Sequence, residues 1–511
     1  MTHDTVVTQA APPPTGDRSL ARHGIVNLGG AFVAAAINVA LVIIVTRTFA
    51  PSTAGIFFSV ISVFLIVETV AKLGTTTGLV YFLSRNRALQ QPEKNQAVLV
   101  TGILPVLAVS ALGGAVLFEF APPIASAVVA ADSGDFVTLL RVSAVLLPVA
   151  ALSEAALAAT RGFGEMRSTV VVDRILRPTL QLALMLIVAL TGSGYLLSAA
   201  WAGPYLVAAA LSLLALRRLQ RLHARGSMAE PVTAAQCGSF WRFTAPRAVA
   251  SVAQLALQRL DIVLVAALRG PAEAAIYTAA TRFLVVGQLG SQAISLAVQP
   301  HLGVHLARED RAEARQVYRT GTAWLVLLTW PLYLLAVAFG PYLLTVFGPG
   351  YVEGGVVVVV LCLTMLVATG CGMVDMVLSM AGRTSWNLAN SLVALTVNVL
   401  LNLLLIPPLG ILGAAIAWAV AILVNNLLPL AQVGLTMGLH PFGRATLTAA
   451  VLSLACFGVP SVIALVAGDV SLAALVVAGL LGTALFAAGC WQQREILKLN
   501  ALRGLRSTRA T

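Results

Sequence analysis

The chain has 511 residues, of which 59% are hydrophobic and only 10% charged, with a mean hydropathy of +0.92. A water-soluble domain carries roughly 25% charged residues, so that class is excluded at once. The net charge of +12 would suit a nucleic-acid partner, but the positions of the basic residues assign them to membrane topology instead, and no nucleic-acid partner is expected.

Residues 1–21 are polar at the start, contain Pro12-Pro13-Pro14 and lack the basic, apolar and small-residue order of a signal peptide. They are expected to form a disordered cytoplasmic tail. Fourteen apolar runs follow, each suited to a hydrocarbon core about 30 Å thick. The first six are 25–45, 56–80, 97–118, 139–159, 171–190 and 196–216. The next six are 248–268, 276–297, 318–339, 356–380, 388–406 and 412–433, and the last two are 447–467 and 472–491. The expected fold class is an all-α polytopic membrane protein with fourteen transmembrane helices.

Of the 32 Lys and Arg residues, 26 fall in segments that would share one side. Examples are Arg85, Arg87 and Lys94; Arg161, Arg167, Arg174 and Arg177; and Arg308, Arg311, Arg315 and Arg319. Only Arg47 and Arg269 fall in loops of the other side. Basic loops face the cytoplasm, so the pattern predicts an even span count with both termini cytoplasmic, in the cell membrane.

The chain also repeats itself. Shifted by 220, Arg22 falls on Arg242, Pro51 on Pro271, Ala54 on Ala274, Ile56 on Ile276 and Phe57 on Tyr277. Shifted by 221, Glu154 falls on Asp375; shifted by 217, Ala200-Trp201-Ala202 falls on Ala417-Trp418-Ala419. Each half holds six spans, so both enter the membrane from the same side. That predicts two six-helix lobes related by a parallel repeat, 22–217 and 240–436, rocking about a central site. A cytoplasmic linker, 218–239, joins them. Residues 437–491 add two helices outside the repeat, and 492–511 form a basic cytoplasmic tail.

Arg47 to Phe57, Lys72-Leu73-Gly74, Leu83-Ser84-Arg85 and Arg242 to Pro246 together resemble polysaccharide-type flippases of the multidrug/oligosaccharidyl-lipid/polysaccharide (MOP) exporter superfamily. Leu260-Asp261, Ile276 to Ala280, Pro300, Asn398 to Pro407 and Leu409 to Ala417 fit the same pattern, and the likeness covers about Arg22 to Val433. The resemblance implies two lobes forming a V that opens to one side at a time. It implies transport of a polyprenyl-diphosphate-linked oligosaccharide from the inner to the outer leaflet, for cell-surface or exopolysaccharide biosynthesis. The implied partners are that glycolipid, membrane lipids, a polysaccharide polymerase and glycosyltransferases. The alternatives within the superfamily are a lipid II-type flippase and a cation-coupled multidrug exporter; a non-transporting membrane scaffold is a third class.

Seven residues are candidates for substrate binding: Lys72, Arg259, Arg282, Gln254, Gln258, Gln288 and Gln292. Four are candidates for gating or coupling: Glu68, Glu154, Asp261 and Asp375. Each ionisable one is placed within a span, where charge is costly and functional by default. Glu68 and Lys72 are four apart and can pair, either as a releasable bridge at a cavity wall or as a packed structural pair. Gln254, Gln258 and Asp261 form one polar stripe, and Gln288 and Gln292 another. Arg259 lies about 200° around the helix from Asp261, so Asp261 needs a different partner: either Arg282 on the next, antiparallel span, or neutral groups for which Asp261 is a structural hydrogen-bond hub. Glu154 and Asp375 are either protonatable sensors of lobe orientation or polar groups at the cytoplasmic mouth. Within the spans, Lys72, Arg141, Arg259 and Arg282 balance Glu68, Glu154, Asp261 and Asp375, so summed charge does not favour an anionic lipid. The five cysteines are scattered, and no metal-ligand spacing, phosphate-cradling glycine loop or nucleophile elbow occurs. Neither an enzyme nor a bound cofactor is expected; the driving force would be a coupling cation (proton or sodium) or the membrane potential.

Overall fold

The computed structural model describes residues 17–129, 133–223, 230–468 and 470–499. The expected tails fall largely outside them, in 1–16 and 500–511, as does part of the expected linker, 224–229. The described residues are all-helical, without a strand. Segments that continue one another across a short turn share one label here. The first half holds α1 (Asp17–Thr48), α2 (Pro51–Ala88), α3 (Pro92–Glu119), α4 (Ser133–Gly162), α5 (169–191) and α6 (Gly194–His223). The second holds α7 (Ala234–Arg269), α8 (271–307), α9 (Arg311–Leu344), α10 (Pro349–Met380), α11 (Thr384–Leu409) and α12 (Ile411–Met437). α13 (Arg444–Val466) and α14 (Leu472–Gln492) follow. Twelve of these are long and apolar enough to cross a membrane; α5 and α8 are the other two. Both are interrupted, α5 by a π-helical turn over Thr169–Leu176 and α8 by a 3-10 turn over Thr281–Phe283.

Local chemistry sets the helix ends. Pro51 and Pro271 open α2 and α8 at a first-turn position that needs no backbone N–H. Gly270, at φ +100, supplies the turn before Pro271. Thr233 and Gln236 form a reciprocal capping box at the start of α7. α6 runs to His223 and α7 starts at Ala234, so both helices extend into the 218–239 segment.

α4 packs on α2, α3 and α6, whereas α9 packs on α8, α10 and α13, and α11 packs on α7 and α12. The halves meet chiefly where α2 lies against α7 and the start of α8. There the repeat-related segments face each other: Ala54, Ile56 and Phe57 share one buried core with Ala274, Ile276 and Tyr277. The approach is close enough that a Cβ on Gly55 would overlap the Pro271 carbonyl. Near the same end, Arg47 donates from Nε to the Val346 carbonyl and from a terminal nitrogen to the Thr345 carbonyl, each at 2.7 Å. A cation at the carboxyl end of α9 also complements that helix's dipole. A second close approach involves Gly74 (φ +69), whose Cβ would fall 2.7 Å from the Ala248 backbone nitrogen of α7.

Gly55→Ala should destabilise the protein by about 1–3 kcal/mol, the range for overpacking a close contact. A fall in thermal midpoint of the purified protein would show it; an unchanged midpoint would contradict the packing described.

Candidate functional site

The second-half site is built on α7, α8 and α11. Asp261 is only 2% exposed. Its carboxylate accepts a hydrogen bond from the Tyr277 hydroxyl at 3.0 Å and another from the Asn402 side-chain amide at 3.2 Å. Asn402 also donates to the Asn398 backbone carbonyl one turn back, at 2.9 Å. Both side-chain polar atoms of Asn398, and the Asn402 side-chain oxygen, are buried without a hydrogen-bond partner. Leaving such groups bare costs about 1–3 kcal/mol each, so this is a strained polar pocket inside an apolar packing.

Arg282 is not the partner of Asp261. It donates from Nε to the Thr278 carbonyl and from a terminal nitrogen to the Thr281 hydroxyl, both at 3.1 Å. Helix geometry explains the correction. Five residues turn a helix by about 140° beyond a full turn, so with Tyr277 facing Asp261, Arg282 faces away. Arg259 also faces away from Asp261. Neither guanidinium pairs with a carboxylate among the described residues, and the Arg259 charge acts unfavourably on Arg282. Arg259 has no hydrogen-bond or ion-pair partner among the described residues.

The glutamine stripes lie on the open side. Gln254, Gln258, Gln288 and Gln292 are all exposed. On helices this apolar, exposed amides belong to a water-filled cavity rather than to lipid. The expected stripe of Gln254, Gln258 and Asp261 keeps its helical direction but changes surroundings along it. The two glutamines are open, while Asp261, nearer Gly270, is enclosed by α8 and α11.

The first half handles charge differently. Lys72 Nζ pairs with the Glu68 carboxylate at 2.9 Å, as the i,i+4 spacing predicts. Lys72 caps the first segment of α2, and Leu73 and Gly74 then take positive φ, breaking the helix beside the pair. Glu154 is half-buried and acts electrostatically on Lys72, Arg161 and Arg177. Asp375, its repeat mate, is instead exposed in the first turn of a short helix, where its backbone carbonyl accepts from Asn387 at 2.7 Å. Sequence equivalence therefore does not carry over to environment.

Sequence reasoning missed two contributors. Arg177 had been counted among one-sided loop residues, yet it lies on α5, paired with Asp173 at 2.7 Å and stacked 4.8 Å from the Tyr205 ring centre. The Asp173–Arg177 spacing of four was the available signal. The other is Tyr277, whose hydroxyl was hidden in an apolar run; its alignment with Phe57 was the clue. Charge balance also changes meaning. The acids Glu68, Glu154 and Asp173 each have cations beside them, and Asp261 is held by neutral groups. The total is balanced, but Arg259 and Arg282 are left uncompensated.

Comparison with known proteins fits this arrangement. A family described as polysaccharide biosynthesis protein matches residues 20–304, more than half of the chain. The chain belongs to the polysaccharide biosynthesis protein family. The MatE family matches residues 246–404 of this family member, overlapping the second-half site. No curated protein matched. Among solved structures, the lipid II flippase MurJ in an inward closed conformation is similar with a TM-score of 0.71 at 12% identity, covering 92% of this chain and 98% of that one. An inward-facing multidrug resistance MATE family transporter of the MOP superfamily gives 0.64 at 15% identity, covering 81% and 98%. An outward-facing one gives 0.53 at 15% identity, covering 82% and 96%. At these identities the likeness establishes a fold shared with those proteins for this polysaccharide biosynthesis family member.

Tyr277→Phe removes a hydrogen bond to a buried carboxylate and should cost about 1.5–3 kcal/mol. Thermal unfolding of the variant measures it. Phe57→Leu at the repeat-related position removes no polar contact, so a smaller loss for Tyr277→Phe than for Phe57→Leu would argue against the bond.

Proposed function

We propose that this protein is a transporter that flips a polyprenyl-diphosphate-linked oligosaccharide from the inner to the outer leaflet of the cytoplasmic membrane. The observation that carries the reading is the pair of uncompensated guanidinium groups, Arg259 and Arg282, inside helices of this hydropathy. Two half-buried cations without an acid, at bilayer depth in this reading, are costly on their own and are relieved by an anionic ligand. A diphosphate supplies charge and acceptor oxygens for charge-assisted hydrogen bonds, which arginine is shaped to donate. The exposed glutamines Gln254, Gln258, Gln288 and Gln292 would meet sugar hydroxyls in the same cavity. A cationic drug would meet like charge there, which disfavours the exporter reading. Membership of the polysaccharide biosynthesis family favours an oligosaccharide over lipid II.

In this reading all fourteen helices cross the membrane, α5 and α8 included, with both termini cytoplasmic. α1–α6 and α7–α12 are two lobes that rock about the α2–α8 contact. The Arg47 bridge to α9 closes the outer end, and the Glu68–Lys72 pair opens to lend Lys72 to the substrate. A coupling cation, proton or sodium, is taken at Asp261. The fit there is chemical: a carboxylate and two amide oxygens without partners, those of Asn398 and Asn402, are the hard oxygen donors such ions use. Glu154 sits within reach of the Lys72 charge and would sense its release. The product would pass to a polysaccharide polymerase, and the substrate would come from glycosyltransferases.

Loss of the protein should cause the lipid-linked oligosaccharide to build up on the cytoplasmic side. The double variant Arg259→Gln/Arg282→Gln should do the same, with a fall in surface glycan of about tenfold or more, while the Lys/Lys double retains partial activity. Normal surface glycan in the Gln/Gln strain would reject the substrate site. Build-up of lipid II would favour the lipid II alternative, and changed drug sensitivity with normal glycan the exporter. Asp261→Asn should slow transport while leaving substrate binding intact; a matching loss of binding would remove Asp261 from coupling.

A further inference from the structure

A second polar cavity lies where the end of α2, the start of α3 and the first turns of α7 meet. Its volume is about 160 Å³. That is close to the ~150 Å³ of a cavity that holds one benzene, so it has room for a single phosphate-bearing group and not for an oligosaccharide. Arg85 and Lys94 line it, and no acid does. The Arg85 guanidinium has no hydrogen-bond or ion-pair partner among the described residues. Lys94 uses one of its three donors, to the Gln91 side-chain oxygen at 3.1 Å. Gln236 and Ser239 bring the wall of α7 to the same space, with the Gln236 amide donating to Glu230 at 3.4 Å. The floor is firm, because Phe82 and Phe240 pack with ring centres 5.4 Å apart and Asn86 donates to Asn95 at 3.2 Å.

The larger cavity at the α8–α9, α10–α11 and α12 ends, about 550 Å³, offers a contrast. It is lined by Glu309 and Asp310 as well as Arg311 and Arg383, and Arg383 is already bonded to Thr436 at 2.6 Å. Its charges cancel, and its best donor is occupied. Of these two, the smaller cavity combines two cations, a free guanidinium and no lining acid.

We propose that this smaller cavity binds a phosphate mono- or diester, held by Arg85 and Lys94 and seated between the α2–α3 hairpin and the start of α7. A phosphate there ties the two halves of the chain together at a point where α7 leaves the first-half core, in which Phe240 is buried with Leu79 and Leu83. The site is independent of the transported substrate. Its ligand is either the headgroup of an anionic phospholipid or a soluble phosphorylated molecule.

The test uses the full-length protein in phosphatidylcholine nanodiscs, titrated with glycerol 3-phosphate, and in discs where phosphatidylglycerol replaces part of the phosphatidylcholine. Thermal midpoint and native mass spectrometry are the readouts. Wild type should be stabilised by one of the two, with binding weakened about tenfold or more in Arg85→Gln/Lys94→Gln and kept in Arg85→Lys/Lys94→Arg. Ser239→Leu, which fills the exposed rim and leaves both cations, should also weaken binding and stands in should the Gln pair not fold. A response to glycerol 3-phosphate assigns a soluble phosphate; a response to phosphatidylglycerol alone assigns a lipid headgroup. No response of wild type to either, or an equal response in the Gln pair and in Ser239→Leu, overturns the proposal.

Discussion

Asp261 is enclosed by three helices, and its two hydrogen bonds come from a tyrosine hydroxyl and an asparagine amide. Neither donor carries a charge. A buried carboxylate needs donors within hydrogen-bond reach, and here helix phase decides which groups can supply them. Once Tyr277 faces Asp261, Arg282 must face elsewhere, and Arg259 is already on the opposite side of α7. Neither arginine is then paired with an acid among the described residues. The polar pocket and the dicationic pair are two results of one rotational setting of α7 against α8.

The internal repeat shows how specialised that setting is. At a shift of 220, Asp261 corresponds to Leu41, Tyr277 to Phe57, Arg259 to Val39 and Arg282 to Ser62. Leu41, Phe57 and Ser62 are all buried in the first half. The same backbone positions therefore serve as plain packing in one half and as a charged site in the other. The first half places its own charges lower on α2, α4 and α5, where Glu68, Glu154 and Asp173 lie beside Lys72, Arg161 and Arg177. What the halves do share is the contact between them, at the starts of α2 and α8, where Gly55 lets the Pro271 backbone approach.

Much of this was legible in the residues. Apolar run length located the helices, because bilayer thickness fixes how many residues a crossing needs. The Glu68–Lys72 pair was legible because i,i+4 contacts are set within one helix. The partner of Asp261 was not, because it depends on how two helices are rotated against each other and on the break at Thr281–Phe283. Arg177 was misplaced for a related reason: the π-helical turn at the start of α5 carries a residue with loop-like charge into the packed interior. Summing charges over the spans also concealed the outcome, since a zero total is compatible with strict local segregation.

The central claim is that Arg259 and Arg282 are left without acids because a diphosphate completes them. The most direct measurement compares the binding of a polyprenyl diphosphate, the corresponding monophosphate and the free alcohol, all of one chain length, to the purified protein. Wild type should prefer diphosphate over monophosphate over alcohol, with at least about tenfold between the extremes, and Arg259→Gln/Arg282→Gln should lose that order. Equal binding of all three by wild type, or an undiminished preference in the double variant, would contradict it.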